Sequence, residues 1–226
     1  MLYAIVFALT ACGGGGGGGN APPTGPVTST LSFPIQTGYK AILATGLSKN
    51  FTVSGSCSGS GTKTSSPATT ASTFEGVNGF SASATLTMSL TNCTPSSTAA
   101  TSTAYYDSNY NPIGMNSVGI NYGVYASFVM PASVTVGNTG TIGTENLFTN
   151  STKSTSNGYI AQSYVVEADT ASTAIFNLIT RIYNASSVLT ATEQDRYQIS
   201  ASGALTPLSI DIQYANGSTT HLLLTF

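Results

Sequence analysis

The chain has 226 residues, enough for a sizeable core; 41% are apolar and only 6% carry a formal charge, against roughly a quarter in ordinary soluble domains. Six Lys and Arg against eight Asp and Glu give a net charge of −2. That excludes a nucleic-acid footprint, which needs clustered basic residues, and long-range steering of charged ligands. The apolar fraction, with 12 Tyr and 9 Phe, argues against a disordered chain, so Ser, Thr, Asn and Gly must supply the wetted surface.

Leu2 to Leu9 is a short apolar run followed by small residues. It is too short to span a bilayer and reads as the apolar region of a secretory signal, although no Lys or Arg precedes it. The next residues, Leu9-Thr10-Ala11-Cys12, lead directly into seven glycines, Gly13 to Gly19. This stretch resembles the lipobox of Gram-negative bacterial lipoproteins with a poly-Gly tether. The resemblance implies a signal peptide over residues 1–11, cut before Cys12, with acyl chains on the Cys12 sulfur and on its new amino group. One acyl chain binds a bilayer only marginally at about 0.8 kcal/mol per methylene, so two or three make a lasting anchor. Gly13 in place of an Asp implies, by the same resemblance, the outer membrane.

Residues 12–30 then form the lipidated cysteine and a Gly/Pro-rich linker, with a reach of roughly 20–25 Å. The glycines formally match G-x-G-x-x-G, but no strand precedes them and no helix follows, so they carry no dinucleotide reading. Three cysteines is an odd number. With Cys12 taken by lipid, Cys57 and Cys93 remain as one pair, and an oxidising envelope favours a disulfide between them over two buried thiols.

Residues 31–117 read as a disulfide-bearing β region. Thr, Val, Ser and aromatics dominate, and strands are predicted near Lys40–Leu47, Phe51–Lys63, Phe80–Asn92 and Ser102–Tyr106. The third alternates cleanly: Ala82, Ala84, Leu86, Met88 and Leu90 oppose Ser81, Ser83, Thr85, Thr87 and Ser89, as a sheet with one wet face requires. Asp107 to Asn121, rich in Asn, Ser, Gly and Pro, reads as a loop.

Residues 118–226 read as an antiparallel β-meander. Strands are predicted at Tyr122–Val129, Thr141–Thr149, Tyr159–Ala168, Thr173–Tyr183, Leu189–Ser200, Leu205–Tyr214 and Thr219–Phe226, most of them separated by short turns. Glu193-Gln194-Asp195-Arg196 has helical character, but Leu189, Ala191, Tyr197 and Ile199 fit the strand period. The fold class expected is all-β: antiparallel meander sheets, as a sandwich or a curved half-barrel, with one disulfide. A transmembrane barrel is disfavoured for want of a lipid-facing apolar band.

Chemistry-bearing motifs are few. Gly55-Ser56-Cys57-Ser58-Gly59 has the shape of a nucleophile elbow but lacks the strand–helix setting an elbow needs. His221 is the single histidine, which excludes most zinc sites, and no metal or other cofactor is expected. Asp107-Ser108-Asn109-Tyr110-Asn111 opens like a calcium loop. It then places Pro112 and Val118 where Gly and a bidentate Glu belong, so Asx turns account for it equally well. Glu167 with Asp169, and Glu193 with Asp195, sit two apart, a spacing compatible with a glycosidase pair but equally with charges guarding sheet edges. No catalytic residue is assigned. The expected function is a lipid-anchored envelope module, structural or binding, with a protein, glycan or apolar ligand as its partner besides the membrane. A half-barrel carrier of lipid and a carboxylate hydrolase are the alternatives.

Overall fold

A computed structural model describes residues 10–11, 26–117, 119–215 and 220–226. Cys12 and the glycine run, with the lipidation expected there, lie outside the described residues, as do Val118 and the turn residues Asn216 and Gly217. The elements in chain order are β1 (Thr10–Ala11), α1 (Ile35–Thr45), β2 (Leu47–Gly55), β3 (Ser58–Ser65), β4 (Thr70–Phe74), β5 (Val77–Thr91), β6 (Cys93–Thr94) and β7 (Ser97–Asp107). They continue with β8 (Pro112–Ser117), β9 (Asn121–Phe128), β10 (Thr139–Phe148), β11 (Ser156–Ala168), β12 (Thr173–Tyr183), β13 (Leu189–Ser200), β14 (Leu205–Tyr214) and β15 (His221–Thr225).

The protein is all-β with a disulfide, and its meander closes on itself. From β7 to β15 each strand pairs antiparallel with the next, β15 returns to β2, and β3 pairs with β5, making a ring of 12 strands. Closure leaves no continuous open edge, the usual liability of a long sheet. Strand β4 continues the row of β3 along β5: β3 faces Ala84–Thr91, and β4 faces Val77–Ser81. The short β1 pairs with β6 outside the ring.

Alternation sets the two faces. On β5, Ala82, Leu86, Met88 and Leu90 are buried while Ser81, Ser83, Thr85, Thr87 and Ser89 face outward. On β13, Thr192, Gln194, Arg196 and Gln198 face outward. The wall is thus wet outside and mainly apolar inside.

A ring this wide is not filled by its own side chains as an 8-stranded barrel is; here the N-terminal segment enters the lumen. Phe33 bridges to Val134, and Phe33 and Ile35 pack with Val166, Phe176 and Ile199. One to two turns on, Tyr39 and Leu43 pack with Ala82, Ala104 and Tyr106 of β5 and β7. Helix α1 therefore touches both groups of strands, and the alanines leave it space.

This explains the first correction. Lys40–Leu47 was predicted as strand; residues 40–45 are helical. The relevant period is Ile35, Tyr39 and Leu43, four apart on one buried face. Gly46 ends the helix at φ +75°, where glycine is unstrained. Gly38 lets α1 approach the β13–β14 turn, since a Cβ there would stand 1.9 Å from the carbonyl oxygen of Gly203.

Other boundaries shift as well. The single strand expected over Phe51–Lys63 is two, β2 and β3, turning at Ser56-Cys57. The loop expected over Asp107–Asn121 contains β8, which begins at Pro112, a position where a strand tolerates proline. The far end of the expected linker is docked on the barrel: Val27 bridges to Asp169, and the Ser29 hydroxyl donates to the carbonyl of Ala171 at 2.9 Å. Cys57 and Cys93 form the disulfide, with Cα atoms 5.7 Å apart. It lies just beyond the Ser58–Thr91 rung of the β3–β5 ladder, clamping the place where the ring closes.

Candidate functional site

The predicted carboxylate pairs part company. Glu193 and Asp195 were read as possible edge guards, and they are not: both point into the lumen and are 2% exposed. The strand period puts them on the face of Ala191 and Ile199, which is the core face. Lys63 of β3 is buried too. Burial raises the Glu193 carboxyl well above the usual range; the Asp195 charge raises it further, while Lys63 opposes the shift. Burial also raises Asp195, against the pull of Lys63 and a hydrogen bond from Glu193. The two carboxyls are hydrogen-bonded to each other, and burial favours the protonated form of both. A third acid, Glu145 of β10, is fully buried beside Gly123, and burial pushes its pKa up to about 8. Both Glu145 oxygens, Glu193 Oε2 and Asp195 Oδ1 lack a hydrogen-bond partner among the described residues. At no more than 2% exposure, none of the three acids is accessible to a polymeric substrate.

Glu167 and Asp169 face outward in a polar lattice. Asn177 donates to Glu167 at 2.7 Å and to Gln194 at 3.0 Å, and Arg196 donates to Gln194 at 3.0 Å and approaches Glu167 at 3.4 Å. Asp169 accepts from Thr173 at 2.6 Å and from Gln198 at 2.8 Å. Each carboxylate is thus engaged in holding β11, β12 and β13 together.

His221 pairs through Nε2 with Asp211 at 3.0 Å. Ser56 lies beside them, yet its hydroxyl accepts from the backbone N–H of His221 at 2.9 Å. That contact secures the β2–β3 turn against β15 and leaves the elbow motif structural, with Cys57 in the disulfide. The Asp107 motif is an Asx turn: its Oδ1 accepts from the backbone N–H groups of Asn109 and Asn111, both at 2.8 Å. Among the described residues no cluster of three His, Cys, Asp or Glu is placed to hold a metal, and no helix is long and apolar enough to cross a membrane.

A concave feature of the outer wall lies elsewhere. A depression of about 790 Å³ crosses β15, β2, β3 and β5, where the ring closes. Its outward side chains form cross-strand rows. Asn50, Thr62 and Thr87 stand opposite one another in one row, and Thr225, Thr52, Ser60 and Ser89 in the next. Gly61, Phe51, Met88 and Phe226 complete the lining. At Gly61 the Phe51 ring occupies the space a Cβ would take, 2.4 Å from the Cβ position. The Thr62 and Thr87 hydroxyls are hydrogen-bonded at 2.6 Å. All of these outward side chains are neutral.

Sequence reasoning did not find this groove. The alternation of β5 showed that Thr87 and Ser89 face water, but the groove joins residues 50 to 226, and only ring closure brings them together. Comparison with protein-family models, with curated proteins and with solved structures found no match for this chain.

Proposed function

We propose that this chain is a lipid-anchored, non-catalytic binding module of the Gram-negative envelope, held at the outer membrane through acylated Cys12 and binding its partner on the outside of the barrel. The anchor rests on the lipobox resemblance and the glycine tether. The binding role rests on one observation: the wall is polar and concave outside, around a filled lumen. The enclosed apolar cavity between Ile35, Tyr39, Met130, Phe176, Tyr197 and Leu205 holds only about 30 Å³, whereas small-molecule pockets run to about 300–1,000 Å³. That favours a surface binder over a carrier of lipid. Burial of Glu193 and Asp195 weighs against the hydrolase.

The test is fractionation of cells expressing the intact chain or Cys12→Ser. The intact chain is expected in the membrane fraction and the variant in the soluble periplasm. Equal membrane retention of both would overturn the anchor, and an intact mass showing residue 12 unacylated would do the same.

A further inference from the structure

We propose that the groove across β15, β2, β3 and β5 binds a neutral oligosaccharide; this rests on the reading of the chain as a binding module and names the ligand class. The two cross-strand rows place hydroxyl and amide groups on a lattice, about 4.8 Å apart between strands and about 7 Å apart along them. Each Ser or Thr hydroxyl donates one hydrogen bond and accepts two, and Asn50 adds an amide. A pyranose chain presents the same chemistry, with hydroxyls that both donate and accept at regular intervals. One row crosses three strands and the other four, so the site suits an extended ligand lying crosswise rather than one enclosed unit.

Charge narrows the class. Anionic polymers are gripped by Arg and Lys through charge-assisted bonds, and among the described residues no such side chain lines the groove. Lys63, on β3 between Thr62 and Thr64, points instead into the lumen and is 4% exposed. Phe226 lines the groove but turns its ring toward the core, edge-on against buried Phe51 with ring centres 5.7 Å apart, so the groove's outward chemistry is that of its hydroxyls and Asn50. The volume of about 790 Å³ lies inside the range of ligand sites.

The experiment is calorimetric titration of the purified full chain with chitotetraose, cellotetraose, maltotetraose and, as the charged comparison, tetragalacturonate. At least one neutral tetrasaccharide is expected to bind with Kd between roughly 10 μM and 1 mM. Ser60→Arg, which fills the groove from an exposed position, should weaken it at least tenfold. Thr206→Arg, exposed on β14 outside the groove, should leave it unchanged. The shape-preserving double variant Thr62→Val, Thr87→Val should weaken it severalfold, with a melting temperature confirming that each variant is folded. Absence of binding by all three neutral sugars below about 10 mM overturns the proposal, as does binding unmoved by Ser60→Arg or tighter binding of tetragalacturonate. Membrane retention together with no sugar binding rejects only the ligand class. A soluble intact chain that binds sugar rejects only the anchor.

Discussion

The barrel has two unlike walls. Along β10 to β14 the inward residues are large, among them Ile142, Val166, Phe176, Leu178, Ile199 and Ile210, and the outer face is tied by the Glu167, Arg196 and Asp169 lattice. Along β3, β5 and β7 they include Gly61, Ala82, Ala100 and Ala104, while Leu86, Met88 and Leu90 thicken one stretch. The lighter wall is where helix α1 finds room, where the surface sinks into a groove and where the disulfide sits. Small inward residues remove core contacts, so that wall adds a covalent clamp and the Tyr39 and Leu43 side chains of α1, where the other closes its own large side chains around Phe33 and Ile35.

The largest effect expected is in the heavy wall and depends on pH. Glu145 has a folded pKa of about 8 against an ordinary value of 4.5, from burial. Below about pH 4.5 both states are protonated. Between 4.5 and 8 the folded state keeps a proton that the unfolded state has lost, so stability falls as pH rises, by on the order of 4–5 kcal/mol from this group. Glu193 and Asp195 shift the same way. Urea melts from pH 4.5 to 8 should show that decline, and Glu145→Gln should remove the Glu145 share of it. An unchanged slope would refute the assignment.

Phe176→Ala is next, costing about 3–5 kcal/mol because it empties the heart of the heavy wall; chemical denaturation measures it. In the light wall, Cys57→Ser with Cys93→Ser should cost about 2–4 kcal/mol through freed chain entropy, read as a lowered melting temperature that reductant also produces in the parent. Ala104→Leu tests whether the alanines are space for α1: overpacking against Tyr39 and Leu43 should cost about 1–3 kcal/mol. A neutral result would separate the helix from that wall. Smallest is Lys153→Ala. Lys153 pairs with Glu75 on the β4–β5 hairpin, but both are partly exposed, so the loss should stay within about 1 kcal/mol and shrink in salt. Phe74, stacked between Tyr105 and Tyr122 at 4.4 and 5.1 Å, holds that hairpin independently.

Much of the barrel was legible. The limits of β12, β13 and β14 agree with the predicted runs to the residue, because each is a run of strand-forming residues bounded by clear turns. The errors have physical causes. The run from Lys40 reads as strand because four apolar residues in a short window suit either period, and the burial partner that chooses helix lies far away. Strand β8 was hidden because Pro112, Gly114 and Asn116 are turn formers, whereas Pro112 opens the strand and Gly114 makes room for the Phe74 ring, which lies 2.3 Å from its would-be Cβ. The acidic pair at Glu193 and Asp195 was placed on a common face correctly. The same face carries Leu189, Ala191, Tyr197 and Ile199, so the strand period already marks it as the dry one; the expectation of an edge guard followed the charge of the two acids rather than that period.

By itself the sequence determined that this chain is β-rich, that its strands carry one wet and one dry face, and, through its cysteine count, which two thiols were available to pair. These follow from local alternation and turn chemistry. Tertiary structure alone decided that the meander closes, that a helix enters the lumen, that three acids are buried with it, and that Asn50, Ser60, Thr87 and Phe226 share one groove. The reason is range: a period of two marks the faces of a strand, but ring closure between β15 and β2 joins residues some 170 positions apart, and no local pattern encodes that contact.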